Sequence, residues 1–287
     1  MSPRSDPGSE PGRRVTDAAA SVGGSNPGSG ALDPAADSAG VPWAGRSFQP
    51  NTHAADDGSA PEALDNALTA FRSGDAGQAA VVVAFSRARL LIPLLAELGD
   101  GGAERGAHGL AVDKSQELSI VTVQGPDGRK VLPVFASVQA MSRWNPLARP
   151  VPADGVRVAL AAADDGTDLV ILDPGSPSEF VLRRPAVWAV AQSLDWQPPF
   201  ESRDVEAAFR RSIDRELAVL GVTLLAGDPD ARLAGPELVV RLELIAGLSR
   251  EELDATTARL ARRWAADDVI ATSVDSLTVK LVGGRAG

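Results

Sequence analysis

The sequence predicts an α+β protein: two small α/β-sandwich domains with mixed, largely antiparallel sheets, preceded by a disordered N-terminal tail. Three observations carry this. Between residues 137 and 194 the order of elements reads helix, hairpin, helix, which makes the sheet at least partly antiparallel rather than doubly wound. After residue 200 the order reads α-β-β-α-β, a compact open-faced sandwich of about 85 residues, a common size for a small domain. The chain is 287 residues long, which suits two small domains, and 16 of its 49 Gly and Pro residues fall in the first 58 positions.

Taken in order, residues 1–40 hold only Val15, Val22 and Leu32 as sizeable apolar residues. Such a segment cannot bury enough surface to offset chain entropy and reads as a disordered tail. Residues 41–60 read as an extended arm, because Trp43, Arg46 and Phe48 place two aromatics in a polar stretch; the arm is expected to dock on the following domain or on a partner. The first domain spans 61–198. Leu64, Ala67, Leu68 and Phe71 make one apolar stripe of a helix from Pro61 to Arg72, ended by Ser73-Gly74. Ala79 to Phe85 is a short β-branched run and reads as a buried strand. Arg89 to Leu95, interrupted by Pro93, reads as another. The loop 99–109 carries five glycines in eleven residues but has neither phosphate-loop spacing, and Asp100 and Glu104 oppose an anion.

Glu117 to Val123 alternates as one strand, Gly125-Pro126-Asp127-Gly128 turns, and Val131 to Phe135 returns, with Pro133 marking an edge or a bulge. Ser137 can cap a helix through Trp144, and Asn145-Pro146 ends it. Gly155 to Ala163 reads as a helix, Leu169 to Leu172 and Glu179 to Leu182 as a strand pair, and Pro185 to Leu194 as a helix. Gln197-Pro198-Pro199 is the inter-domain linker, and the second domain spans 200–284. There Ser202 caps a helix striped by Val205, Phe209, Ile213, Leu217 and Leu220. Gly221 to Leu225 and Leu238 to Leu244 are strands. Ser249 and Glu252 form a capping box that opens a helix burying Leu253, Thr257, Leu260 and Trp264. In the last strand Leu277, Val279 and Leu281 face inward.

Composition narrows the chemistry. With no Cys there are no disulfides, thiolate sites or Cys nucleophiles; with no Tyr there is no phenol acid or base. Two histidines, His53 and His108, cannot make a three-His zinc site, and no GxSxG elbow supports an acyl-transfer triad. No catalytic constellation is visible, so the expectation is that the protein is not an enzyme and that it uses no cofactor or metal. The net charge of −10 is spread evenly, at −3 for residues 1–58, −4 for 59–199 and −3 for 200–287. Bulk nucleic-acid binding needs clustered Lys and Arg, and there is no such cluster. No apolar run reaches the ~20 residues that span a bilayer. With no signal segment, a soluble cytoplasmic protein is expected.

Few residues group as if to act together. Asp164, Asp165 and Asp168 lack the register of a calcium loop and read as an acidic turn. Asp173 and the pair Arg183-Arg184 flank one predicted hairpin and could orient an anionic ligand, although turn chemistry explains them as well. Trp188 and Trp196 read as core or domain-interface packing.

Several segments carry a resemblance. Pro42-Trp43-Ala44-Gly45-Arg46 with Asp56-Asp57-Gly58 resembles the start of actinobacterial SseB-family proteins. Thr122 to Arg129, Val131 to Ser137 and Trp144 resemble the core motif of the SseB N-terminal domain, with Ala136 where Thr is common. Leu169 to Gly175 and Phe180 to Leu182 fit its second half. Gly247 to Leu253 and Val274 to Leu277 are similar to the SseB C-terminal domain. The resemblance spans about 42–283. It implies no established catalytic residues, and the family name records only a serine-sensitivity phenotype. The expectation is a non-catalytic interaction or regulatory protein with an unknown protein partner; the alternative is an amino-acid or other small-ligand sensor, or a weak enzyme built on Asp and Arg.

Overall fold

In the computed structural model eight helices and ten strands form among the described residues, which are 56–96, 118–120, 122–125, 127–164 and 166–283. They belong to one unit, His53–Gly287; the tail, most of the arm with Trp43, Arg46 and Phe48, the loop 99–109, and both histidines lie outside the described residues. The architecture is α+β with mixed and antiparallel sheets, as the element order predicts.

Helix α1 (Glu62–Ser73) begins after Pro61, whose fixed φ of −60° suits a helix entry, and stops at Gly74, whose φ of +82° is the left-handed conformation that glycine adopts freely. It buries Leu64 and Leu68. The stretch expected as a buried strand, Ala79 to Phe85, is instead helix α2 (Gln78–Arg87). Val81, Val82 and Phe85 are buried while Val83 is exposed, which is helical spacing, not alternation. Packing against the first core overrides the β preference of three consecutive valines.

Strand β1 (Arg89–Ala96) is the centre of a three-stranded antiparallel sheet, between β2 (Leu118–Ile120) and β5 (Arg149–Asp154). The single strand expected over Glu117 to Val123 divides: β2 joins β1, and β3 (Val123–Gln124) joins β4 (Lys130–Val134) through the expected turn. β5, for which the sequence pattern gives no expectation, carries Pro150 and Pro152; at a sheet edge their missing N–H groups are tolerated. A second sheet has the order β3-β4-β6-β7, with β6 (Leu169–Leu172) parallel to β4 and β7 (Phe180–Leu182) antiparallel to β6. Pro133 lies between the end of the β3 ladder at Val131 and the Leu91↔Phe135 bridge, where among the described residues the strand has a paired neighbour only on its β6 side.

Helix α3 (Val138–Trp144) opens on Ser137, whose hydroxyl accepts the Ala140 N–H as expected. Helix α4 (Gly155–Asp164) leads from β5 to β6, and α5 (Arg184–Ala191) follows β7. α5 buries Pro185, Ala186, Val187 and Val190, so Trp188 is on its outer side and 55 % exposed, against the expectation that it packs inside. Trp196 does pack against the first core, the one that gathers Leu64, Phe85, Leu172 and Phe180.

The second core gathers Val205, Phe209, Val240, Leu242, Leu260 and Trp264. Helix α6 (Arg203–Ile213) is capped by Ser202 but ends at Ile213, so the expected stripe does not continue: Leu217 is 94 % exposed and Leu220 is exposed too. β9 (Leu238–Leu244) lies between β8 (Val219–Ala226), antiparallel, and β10 (Leu277–Gly283), parallel. α7 (Arg250–Ala266) opens with the full capping box; its most buried face is Thr256, Leu260 and Trp264, with Leu253 and Thr257 partly buried. A short helix not anticipated, α8 (Asp268–Ser273), is capped by Asp267, which accepts the N–H groups of Val269 and Ile270. Leu277 and Val279 pack on this core, whereas Leu281, toward the end of the edge strand, is exposed.

Candidate binding groove

The parallel pair β4 and β6 opens at its carboxyl end, the position where α/β sheets commonly place ligands. From β4 the chain passes through Ala136 and Ser137 into α3. From β6 it passes through a loop, residues 173–178, toward β7. Between them lies a groove of about 850 Å³, walled by Leu68, Thr69 and Arg72 of α1 and by Ala140, Arg143 and Trp144 of α3. Trp144 is held by Phe135, with ring centroids 5.3 Å apart.

Asp173 lines the groove. Its backbone has a φ of +48°, unusual for a residue with a side chain, and it is 3 % exposed. One carboxylate oxygen accepts the Ala136 N–H and the other accepts the Ser178 hydroxyl, each at 2.9 Å. Burial pushes this carboxyl above the ordinary range, and the two hydrogen bonds oppose the shift. The Asp173 N–H continues the ladder to Val134 O, so the side chain tethers the loop to the end of β4. Arg72, over the Phe71 ring, donates to Glu179 O and to Asp230 O.

Arg183 and Arg184 are directed elsewhere. Arg183 is buried and pairs with Asp228 at 2.7 Å and with Asp275 at 3.3 Å, and it also donates to Gly235 O. Arg129 meets Asp275 with two hydrogen bonds of 2.8 and 2.9 Å. Arg184 donates to the carbonyls of Ala271 and Val274 at the end of α8. The groove that Asp173 lines is therefore lined by neither arginine, and the positive charge of Arg183 is already met by two carboxylates. Nothing in the spacing of Arg129, Asp228, Glu237 and Asp275 marks them as neighbours; only the tertiary fold joins them. Among the described residues no three His, Asp or Glu side chains group as a metal site, and no helix is long and apolar enough to cross a membrane.

These features define an α+β protein with a half-open groove at the end of a parallel strand pair. Residues 64–189, which supply every strand and helix bordering that groove, match the family model described as the SseB protein N-terminal domain. No curated protein and no solved structure matches the chain.

Proposed function

We propose that the chain is an SseB-type protein of the actinobacterial two-domain kind, cytoplasmic, and that it acts by binding a protein partner rather than by catalysis. The groove between α1 and α3 is the place where an extended segment of that partner lies. The observation that supports this is the lining: Leu68, Ala140, Pro174 and Pro177 give apolar contact, and Trp144 gives an aromatic wall. The polar groups at its base, Asp173, Ser176 and Ser178, are bonded to one another and to backbone, which fixes the shape of the floor. Similarity of Gly247–Leu253 and Val274–Leu277 to the SseB C-terminal domain supports the two-domain assignment.

A photo-crosslinking residue at Gln139, exposed on the groove wall, tests the proposal against the same residue at Arg215, exposed elsewhere. One partner captured only from position 139, and lost when Ala140→Trp fills the groove, is the expected result. Equal capture from both positions, or none, overturns it. A second reading, an amino acid or other small ligand, is supported by the polar side chains Thr69, Gln139 and Arg143 that line the same groove. A thermal-shift screen over amino acids and nucleotides tests it, since a ligand that binds only the folded state raises the melting temperature; a flat screen removes it.

A further inference from the structure

Residues 227–237 form the loop between β8 and β9 and reach across to the first half of the chain. Its base is closed by the Gly227 N–H donating to Glu237 O. Its tip is embedded: the Val181 N–H donates to Ala231 O, Ala231 joins the first core, and Leu233 packs with Val131, Leu169 and Val181. Both Ala231 and Leu233 adopt left-handed backbone, with φ of +49° and +57°, a conformation costly for residues with a Cβ. The loop holds this shape through Asp228, which accepts the Leu233 N–H and the Arg183 guanidinium, and through contacts of Arg72 and Arg232 with backbone carbonyls.

Glu237 sits at the root of this loop, buried at 5 % exposure, and among the described residues it forms no ion pair. Among the described residues its carboxylate accepts only the Asp275 N–H, at 2.7 Å. The groups that face it are the Asp275 carboxylate and Ser276 just before β10, and Arg183 and Arg184 from the β7–α5 junction. Asp228 faces it from the loop itself, Gln78 from α2, and Trp196 from the segment after α5. Both arginines are engaged by other acceptors. Between these side chains lies a void of about 10 Å³, the room of one water molecule, and the Trp196 Nε1–H beside it has no partner.

We propose that the 227–237 loop is a proton-responsive strap: with Glu237 neutral it fastens the second half of the chain to the first, and with Glu237 ionised it loosens. The charge placed beside Asp275 has no cation of its own, and repulsion at the root acts against the contacts that hold the left-handed backbone of Ala231 and Leu233 at the tip. Burial, with Asp275 adding to it, pushes the Glu237 carboxyl up to about 7. The linkage follows from the sign of that shift: the fastened form binds the proton more tightly than the loosened form, so raising pH between the two pKa values favours loosening.

Hydrogen exchange on the full chain, corrected for the intrinsic pH dependence of exchange, tests this at the Val181 and Leu233 amides. The opening constant is expected to rise on the order of tenfold from pH 6 to pH 8, from the linkage between a carboxyl near 7 and one near its unfolded value. Glu237→Gln, whose amide oxygen can still accept the Asp275 N–H, is expected to flatten the profile. If that variant does not fold, the wild-type profile decides together with Trp196 emission, compared with Trp196→Phe, which should step over the same pH range. A flat wild-type profile, or a step that persists unchanged in Glu237→Gln, overturns the proposal.

Discussion

Arg183 and Asp275 stand 92 positions apart in sequence and 3.3 Å apart in space, both almost wholly buried. The arginine lies between Asp275 and Asp228, and Arg129 supports Asp275 from the other side. Removing one member of such a group leaves buried charge uncompensated. Arg183→Met is expected to cost about 3–5 kcal/mol in urea unfolding. An exposed pair provides the contrast: loss of Arg210, bonded to Glu206 at i,i+4 on the surface of α6, is expected to cost about 0.3–0.5 kcal/mol.

The same cluster shapes the acid side of the stability profile. Burial pushes the Asp275 carboxyl up, but the hydrogen bonds and charge of Arg129, with Arg183 behind, outweigh it and hold it below its ordinary value. The folded state thus prefers the ionised form. Its contribution is complete above the unfolded value of 3.8 and disappears as pH falls through the lower folded value. Glu216, held down by Arg259 and Arg263, acts in the same direction. Chemical unfolding between pH 2 and 6 should show stability falling with acid, and Asp275→Asn should flatten that limb while lowering stability at pH 7.

Gly155 begins α4 against the carbonyl of Phe85. A Cβ at this position would stand 2.0 Å from that oxygen, which is backbone and cannot swing aside. Gly155→Ala is expected to cost about 2–3 kcal/mol, at the upper end of overpacking effects, read as a lower melting temperature. Gly221→Ala, where the nearest atom is a flexible Glu243 oxygen at 3.9 Å, serves as the comparison and should leave stability nearly unchanged.

The capping box of α7 offers a smaller, local effect. The Ser249 hydroxyl accepts the Glu252 N–H, and the Glu252 carboxylate accepts the Ser249 N–H at 2.8 Å. Ser249→Ala should cost about 1 kcal/mol. Ser249→Asp, which can still accept at the cap, should restore most of it.

Where local chemistry decides the structure, the amino-acid pattern is enough to read it. Ser137, Ser202 and Ser249 each cap the helix their position predicts, and the alternation of Leu238, Val240, Leu242 and Leu244 faces one core. Where neighbours decide, it is not. Three consecutive valines become helical because α2 packs against the first core, and the run ending at Val123 divides because β1 and β4 recruit different parts of it. The groove shows both cases. Asp173 is legible as a turn residue before Pro174-Gly175, but its burial and its tether to Ala136 depend on β4 lying beside β6. The pairing of Arg183 with Asp228 and Asp275 has no local signature at all.

Arg72 donates to Glu179 O, beside the groove, and to Asp230 O, in the loop from the second half. Both acceptors are main-chain atoms, so the match is one of backbone path rather than of side-chain identity. A chimera that joins the first half of this chain to the second half of a relative must therefore preserve the length and trace of that loop, even where every side chain in it differs. A single-residue deletion between Gly227 and Glu237 should be felt at the rim of the groove, on the far side of the seam from the lesion.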